Sequence, residues 1–260
     1  MERESYKCKI ITPMLMHGED TRVAELRPPA IKGAMRFWWR AIHGNLSLEE
    51  LKKQESAILG GAGDGNALKS SFRIKLSNMH LITEQVNPLP HKQNSGFTIS
   101  GYKENQNFNI ELIGKELTQI KNIFKLSTIL GGLGQRARRG FGSIEIQNQD
   151  SISVESVKKL ISEINPNFNY QSENNYPYIK NIEIGKEYDD MNKLIKTISL
   201  ATHKHNGDGM FGSVKSGRYA SPVYISILKE NTKYRPIITI LNATKRIDNQ
   251  RLIDFKGAIL

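Results

Sequence analysis

The stretch Leu126-Ser127-Thr128-Ile129-Leu130-Gly131-Gly132-Leu133-Gly134-Gln135-Arg136-Ala137-Arg138-Arg139-Gly140-Phe141-Gly142-Ser143-Ile144-Glu145-Ile146 decides the fold. It closes an apolar helical pattern that begins at Leu117, passes through a loop, and opens a strand at Ile144 and Ile146. Five glycines and three arginines share the thirteen positions 131–143. Glycine lets a backbone approach another surface closely, and arginine presents a planar fork of donors that matches a phosphate. A loop of this composition between helix and strand is a candidate clamp for a nucleic-acid backbone. The loop lacks the Gly-Lys-Ser/Thr ending that a nucleotide-binding P-loop needs.

Upstream, the pattern supplies the other elements of the unit. Tyr6, Cys8 and Ile10 alternate with Lys7 and Lys9 up to Ile11, the period of a half-buried strand. Pro28-Pro29 sets a helix start. From Ala30 to His43, Ile31, Met35, Trp38 and Ile42 fall on one helical arc. A short helix is predicted over Leu48–Ile58, followed by a loose Gly60–Gly65 segment. Strands are predicted around Phe72, Ile74 and Leu76 and around Phe108, Ile110 and Leu112, with Asn87–Gln106 between them as a polar insertion or lid. The order strand, helix, strand, strand, helix, strand is an α+β, ferredoxin-like (RRM-like, βαββαβ) arrangement, assigned to residues 1–150. Residues 151–260 read as a second unit of the same kind, complete or partial. Helices are predicted at Val154–Ile164 and Met191–His203, strands at Tyr178–Ile184, Pro222–Leu228 and Arg235–Leu241, and a polar linker from Asn165 to Asn175.

Lys and Arg number 37 against 26 Asp and Glu, a formal net charge of +11. The excess is spread over both halves and favours an acidic partner such as nucleic acid. Cys8 is the lone cysteine, which excludes an intrachain disulfide and a thiolate zinc site. No stretch approaches the roughly 18 apolar residues of a membrane span, and the N-terminus has no apolar signal region. The expectation is a cytoplasmic protein with no cofactor, no metal and no membrane partner.

On the helix at Ala30–His43, Lys32, Arg36 and Arg40 are spaced to form one basic stripe, with Trp39 and His43 beside it. An aromatic next to a row of cations can stack a base while the cations hold phosphates. Trp38 falls on the apolar arc and is assigned to the core. His17 and His43 are the candidate acid–base groups for a metal-free RNA cleavage, and no partner for either is visible in sequence. The pair His203 and His205 has weak metal-ligand spacing and reads as a polar loop.

The run Leu26-Arg27-Pro28-Pro29-Ala30-Ile31-Lys32-Gly33-Ala34-Met35-Arg36-Phe37-Trp38-Trp39-Arg40-Ala41 resembles the signature of the first-subunit family of the type III-B CRISPR Cmr complex, within the RAMP superfamily. The loop Gly131–Ser143 resembles the superfamily's glycine-rich loop, and Arg218-Tyr219-Ala220-Ser221-Pro222-Val223 is similar to a motif ahead of a strand in such subunits. The resemblance implies a non-catalytic subunit with tandem ferredoxin-like domains. It would hold the 3′ region of a guide RNA and help capture target RNA in antiviral defence, in contact with the other Cmr subunits. The candidate RNA-binding residues are Arg27, Lys32, Arg36, Trp39, Arg40, Gly132, Gly134, Arg136, Arg138, Arg139 and Gly140, and no catalytic residue is assigned. Two alternatives stay open: a repeat-processing endoribonuclease of the same superfamily, and a generic single-stranded RNA-binding protein.

Overall fold

The computed structural model describes residues 1–63, 66–92, 97–170, 177–206, 209–212, 219–242 and 248–260. Strand β1 (Glu2–Ile10) turns Tyr6, Cys8 and Ile10 into the core and leaves Arg3, Ser5 and Lys7 exposed, as a period of two dictates. It pairs antiparallel with β7 (Asn107–Gly114) on one side and β8 (Ile144–Ile146) on the other; β4 (Phe72–Ser77) completes the sheet beyond β7. Helix α1 (Pro28–Ala41) connects β1 to β4, and α3 (Thr118–Leu130) connects β7 to β8. The spatial order β4-β7-β1-β8 is the antiparallel order of a ferredoxin-like unit.

Two insertions decorate this unit. After α1 come α2 (Leu48–Leu59) and a small hairpin of β2 (Gly61–Gly63) and β3 (Asn66–Leu68), so the described part of the expected loose Gly60–Gly65 segment is partly strand. Helix α2 is N-capped by Ser47, whose hydroxyl accepts from the Glu50 amide. Between β4 and β7 lies a second hairpin, β5 (Thr83–Val86) with β6 (Ile99–Tyr102). The expected polar insertion or lid at Asn87–Gln106 is an insertion, and Ile99–Tyr102 within it is a docked strand. The Met14 and Tyr102 amides donate to each other's carbonyls at 3.0 Å, and the Tyr102 hydroxyl accepts from the Leu26 amide.

The second half contains α4 (Val154–Ile164), β9 (Ile179–Ile184), α5 (Met191–His205), β10 (Val223–Glu230), β11 (Lys233–Leu241) and α6 (Asn249–Gly257). Its sheet runs β10-β11-β9, antiparallel throughout. Both β10 and β11 are near-continuous apolar runs, the pattern of strands covered on both faces. Val223, Ile225, Ile227, Ile238 and Ile240 pack with Leu194, Ile195 and Ile198 of α5 and Phe255 of α6. The opposite face sends Tyr224, Leu228, Ile237 and Leu241 into the cluster built by α1, α3 and the first sheet. The molecule is thus layered sheet, helices, sheet, helices. Helix α3 lies between the sheets, which explains why its last five residues, Leu126–Leu130, are all buried. Each apolar cluster draws residues from both sides of position 150: Ile11, Leu15 and Phe141 join the second, and Val157, Ile161 and Ile179 join the first.

The expected linker also needs correction over residues 165–170. Asn165 is buried and its side-chain amide donates to the Ile42 carbonyl at 2.6 Å, while Phe168 and Tyr170 meet edge to face against the core. Turn-forming residues here tie α4 to the end of α1. Residues 171–175 of that expectation lie outside the described residues. Among the described residues no helix is long and apolar enough to cross a membrane.

Candidate nucleic-acid interface

The glycine-rich loop is stitched to the chain that leaves β1. The Gln135 amide donates to the Leu15 carbonyl at 2.7 Å and the Gly142 amide to the Pro13 carbonyl at 2.9 Å. Thr12 donates its hydroxyl to the Gly140 carbonyl at 2.7 Å and accepts from the Ser143 amide at 2.9 Å. A 3-10 turn at Ala137–Arg139 crosses the middle. The loop is a rigid crossing between the two sheets.

Its glycines serve that crossing. Gly140, at φ +83°, faces Ile227, and a Cβ there would sit 2.9 Å from the Ile227 Cδ1. Gly134, at φ +90°, has no room for a Cβ beside the Leu15 carbonyl, and a Cβ at Gly132 would sit 2.5 Å from the Phe141 carbonyl oxygen. The close approach expected between RNA and Gly132, Gly134 and Gly140 is made by the protein's own chain instead. Only Gly134 of the three borders open space.

The arginines divide by what they bond and by exposure. Arg139 donates to the carbonyls of Phe211, Val223 and Arg138, and Arg138 donates to the Ser221 carbonyl while lying 5.0 Å over the Phe37 ring and 5.3 Å over the Tyr224 ring. Burial, together with the positive charges of Arg136 and Arg138, lowers the Arg139 guanidinium to about 10, so it stays charged at neutral pH. These two side chains pin the loop to the second half, and the expectation that both grip phosphates is corrected. Arg136 lines the same cleft as Arg138 and Arg139 and is the most exposed of the three. It is exposed, and holds the left-handed conformation at φ 60° that non-glycine residues rarely adopt.

Arg136 opens onto a cleft of about 630 Å³ between the loop, the segment before β6, the end of α5 and the start of β10. Phe37, Phe141, Phe211 and Tyr224 line it, and Tyr219, 49% exposed, stands at its edge. His91 and His203 stack across it, ring centroids 4.7 Å apart and 20° from parallel. The sequence could not join these two, because they lie on separate elements far apart in the chain. Arg218 of the motif ahead of β10 lies outside the described residues.

The basic stripe on α1 faces α2. Arg36 and Arg40 both bind the carboxylate of Glu55, whose side chain is 3% exposed, and Arg36 also donates to the carbonyls of Leu59 and Gly60 at 3.0 and 2.9 Å. The Lys32 ammonium donates to the Phe72 carbonyl at 3.3 Å and sits 4.7 Å over the Phe72 ring, its ionisation lowered by burial and then by Arg36. Arg27 pairs with Glu25 at 3.4 Å. The stripe is engaged within the fold, Arg36 and Arg40 against α2 and Lys32 against β4, which corrects its reading as a phosphate track.

Trp39 is fully buried, stacked on His43 with centroids 4.1 Å apart. It cannot stack on a base in this structure, and that expectation is withdrawn. His43 is held neutral by burial, with its Nδ1 2.8 Å from the Trp39 carbonyl. His17 donates from Nε2 to the Ser100 carbonyl at 2.7 Å, tying the β5–β6 hairpin to the chain after β1. Neither histidine is in the cleft.

The sequence model of the RAMP superfamily matches residues 7–145, which spans the first sheet, α1, α3 and the glycine-rich loop. Two proteins of Pyrococcus furiosus are similar to the chain. The CRISPR system Cmr subunit Cmr1-1 is 28% identical over 155 residues, covering 51% of this chain and 44% of that protein. The Cmr subunit Cmr1-2 is 26% identical over 179 residues, covering 55% of this chain and 94% of that protein. Among solved structures, the apo crystal structure of Cmr1 from the same organism superposes with a TM-score of 0.67 at 18% identity, over 100% of this chain and 96% of that one. A chain of the cryo-EM structure of the type III-B Cmr-beta bound to cognate target RNA superposes with a TM-score of 0.64 at 13% identity, over 98% of this chain and 99% of that one. The two superpositions share the fold described above. By the match over its first half, the chain belongs to the RAMP superfamily.

Proposed function

We propose that the chain is a non-catalytic, RNA-binding subunit of a type III-B CRISPR effector, and that its cleft holds a single strand of guide or target RNA. The observation that carries this is Arg136, presented in a strained backbone conformation at the mouth of an aromatic-lined cleft. A backbone held in a sparsely populated region by its surroundings is a marker of functional sites. An exposed guanidinium beside an exposed ring, here Tyr219 at the edge of the cleft, is the chemistry that grips a single strand, cation to phosphate and ring to base. The relatives named as Cmr subunits, and the fold shared with a chain of an RNA-bound Cmr assembly, support the assignment to that class of complex. A non-catalytic role is supported by the engagement of His17 and His43 in structural hydrogen bonds.

Binding of a labelled single-stranded RNA should weaken with salt, and Arg136→Ala should make the log–log salt slope shallower by about 0.7, the value of one phosphate contact on a single strand. The loss should be alike for unrelated sequences. RNA recovered after long incubation should be intact. An Arg136→Ala protein that is folded and binds with unchanged affinity and slope would remove RNA from this cleft. Site-specific cleavage lost in His203→Gln would replace the proposal with a nuclease.

A further inference from the structure

We propose that Arg136, His91 and His203 together form a phosphodiester-binding subsite in which His91, stacked on His203, takes up a proton as the RNA phosphate arrives. This rests on the reading that the cleft holds RNA and adds a defined contact and a pH dependence to it.

Three separate elements converge here: the glycine-rich loop, the segment that carries His91, and α5. Ser199 on α5 bonds Nδ1 of His91 at 2.7 Å, which fixes the ring and leaves Nε2 for a ligand. The rings of His91 and His203, 4.7 Å apart and nearly parallel, leave no gap for a phosphate between them. An acid–base pair straddling a scissile bond is thereby disfavoured, and a ligand must meet the pair along its edge.

The charged and titratable neighbours of His91 come from three elements. Lys92 flanks it in its own segment, His203 faces it from α5, and Arg136 faces it from the loop. The cleft's other charged residues are Arg138 and Arg139, its other ionisable groups are Tyr219 and Tyr224, and no carboxylate is among the described residues that line it. Burial, then His203, Lys92 and Arg136, hold the His91 imidazole below its ordinary range, so it is neutral in the empty cleft at neutral pH. A phosphodiester brings the missing negative charge and raises the imidazole's affinity for a proton. A group whose pKa is higher in the bound than in the free state favours binding at low pH. The gain is complete below the free-state value, and is lost as pH rises through the bound-state value.

The test is fluorescence anisotropy with a labelled oligouridine of about twenty nucleotides at fixed ionic strength, on the full chain from about pH 8 to about pH 5.5. A shift of one pKa unit between free and bound states corresponds to about a tenfold change in affinity, so binding should tighten steadily as pH falls toward about 5.5, by up to about that factor. His203→Gln, on an exposed side chain, and His91→Asn, which keeps a partner for Ser199, should both flatten the profile to within about twofold. Arg136→Ala should weaken binding across the whole range. Binding that depends on Arg136 yet does not change with pH, or that keeps its pH dependence in both histidine variants, overturns the proton-linked subsite and leaves the RNA cleft standing. Binding indifferent to Arg136→Ala, or no binding at any pH, overturns both.

Discussion

Trp38→Ala and Trp39→Ala are each expected to lower the stability of the fold by about 3–5 kcal/mol, the cost of emptying a fully buried tryptophan site. Both side chains are 0% exposed. Trp38 meets Phe37 edge on at 5.1 Å and Tyr224 at 5.0 Å, and a Cβ on Gly131 would collide with its indole nitrogen. It therefore joins α1 to the end of α3 and to β10, where the two sheets close on the helices between them. Trp39 fills the other side of α1 against His43. For a chain of this length each kcal/mol corresponds to roughly 2–4 °C in melting temperature, so either variant should melt lower by about 6–20 °C. The informative contrast is Trp39→Ala. A variant that melts with the parent and loses only RNA affinity would mean that Trp39 opens to solvent and stacks on a base, and the seam described for α1 and α2 would have to open with it.

The helix phase that assigns Trp38 to the core is local information, and it holds. Ile31, Met35 and Ile42 share one arc, and each is buried. What covers the opposite arc is not local. Lys32, Arg36 and Arg40 read as a solvent-facing stripe because their partners, Phe72 for Lys32 and Glu55 for the two arginines, sit on other elements whose docking no periodicity reveals. The same limit applies to the loop. Its density of arginine is visible in the chain, but the carbonyls that receive Arg138 and Arg139 belong to Phe211, Ser221 and Val223, on elements folded back from far downstream. The strand and helix order of the first unit was legible because each element carries its own period, and the paired strands match it. The β5–β6 hairpin escaped because Thr83–Val86 and Ile99–Tyr102 are short and mostly polar, and Asn249–Gly257 escaped because only Phe255 of that helix is buried. The cleft was illegible for a further reason. Its two histidines are ordinary singly, and only the fold stacks them beside Arg136.

Removing the carboxylate of Glu55 is the sharpest test of the α1–α2 seam. Glu55 is 3% exposed and is bound by two guanidinium groups one helical turn apart, so Glu55→Ala leaves both cations facing a site built for an anion. Breaking a buried ion pair from one side typically costs about 3–5 kcal/mol. The value here should fall at the lower end, because the Arg40 side chain is 52% exposed and can regain water, whereas Arg36 at 30% cannot do so as fully. Urea unfolding of Glu55→Ala should show a loss of about 3 kcal/mol. In a background already carrying Arg36→Met and Arg40→Met the same substitution should cost much less, since no cation is then stranded; that difference is the coupling a double-mutant cycle reads. RNA binding separates the seam from a phosphate track. If Arg36 and Arg40 serve α2, Glu55→Gln frees two cations, and RNA affinity at low salt should hold or rise. If instead Arg36→Ala with Arg40→Ala leaves stability unchanged and makes the salt slope shallower by about 1.4, the slope of two phosphate contacts on a single strand, the stripe belongs to the RNA and Glu55 is only its resting partner.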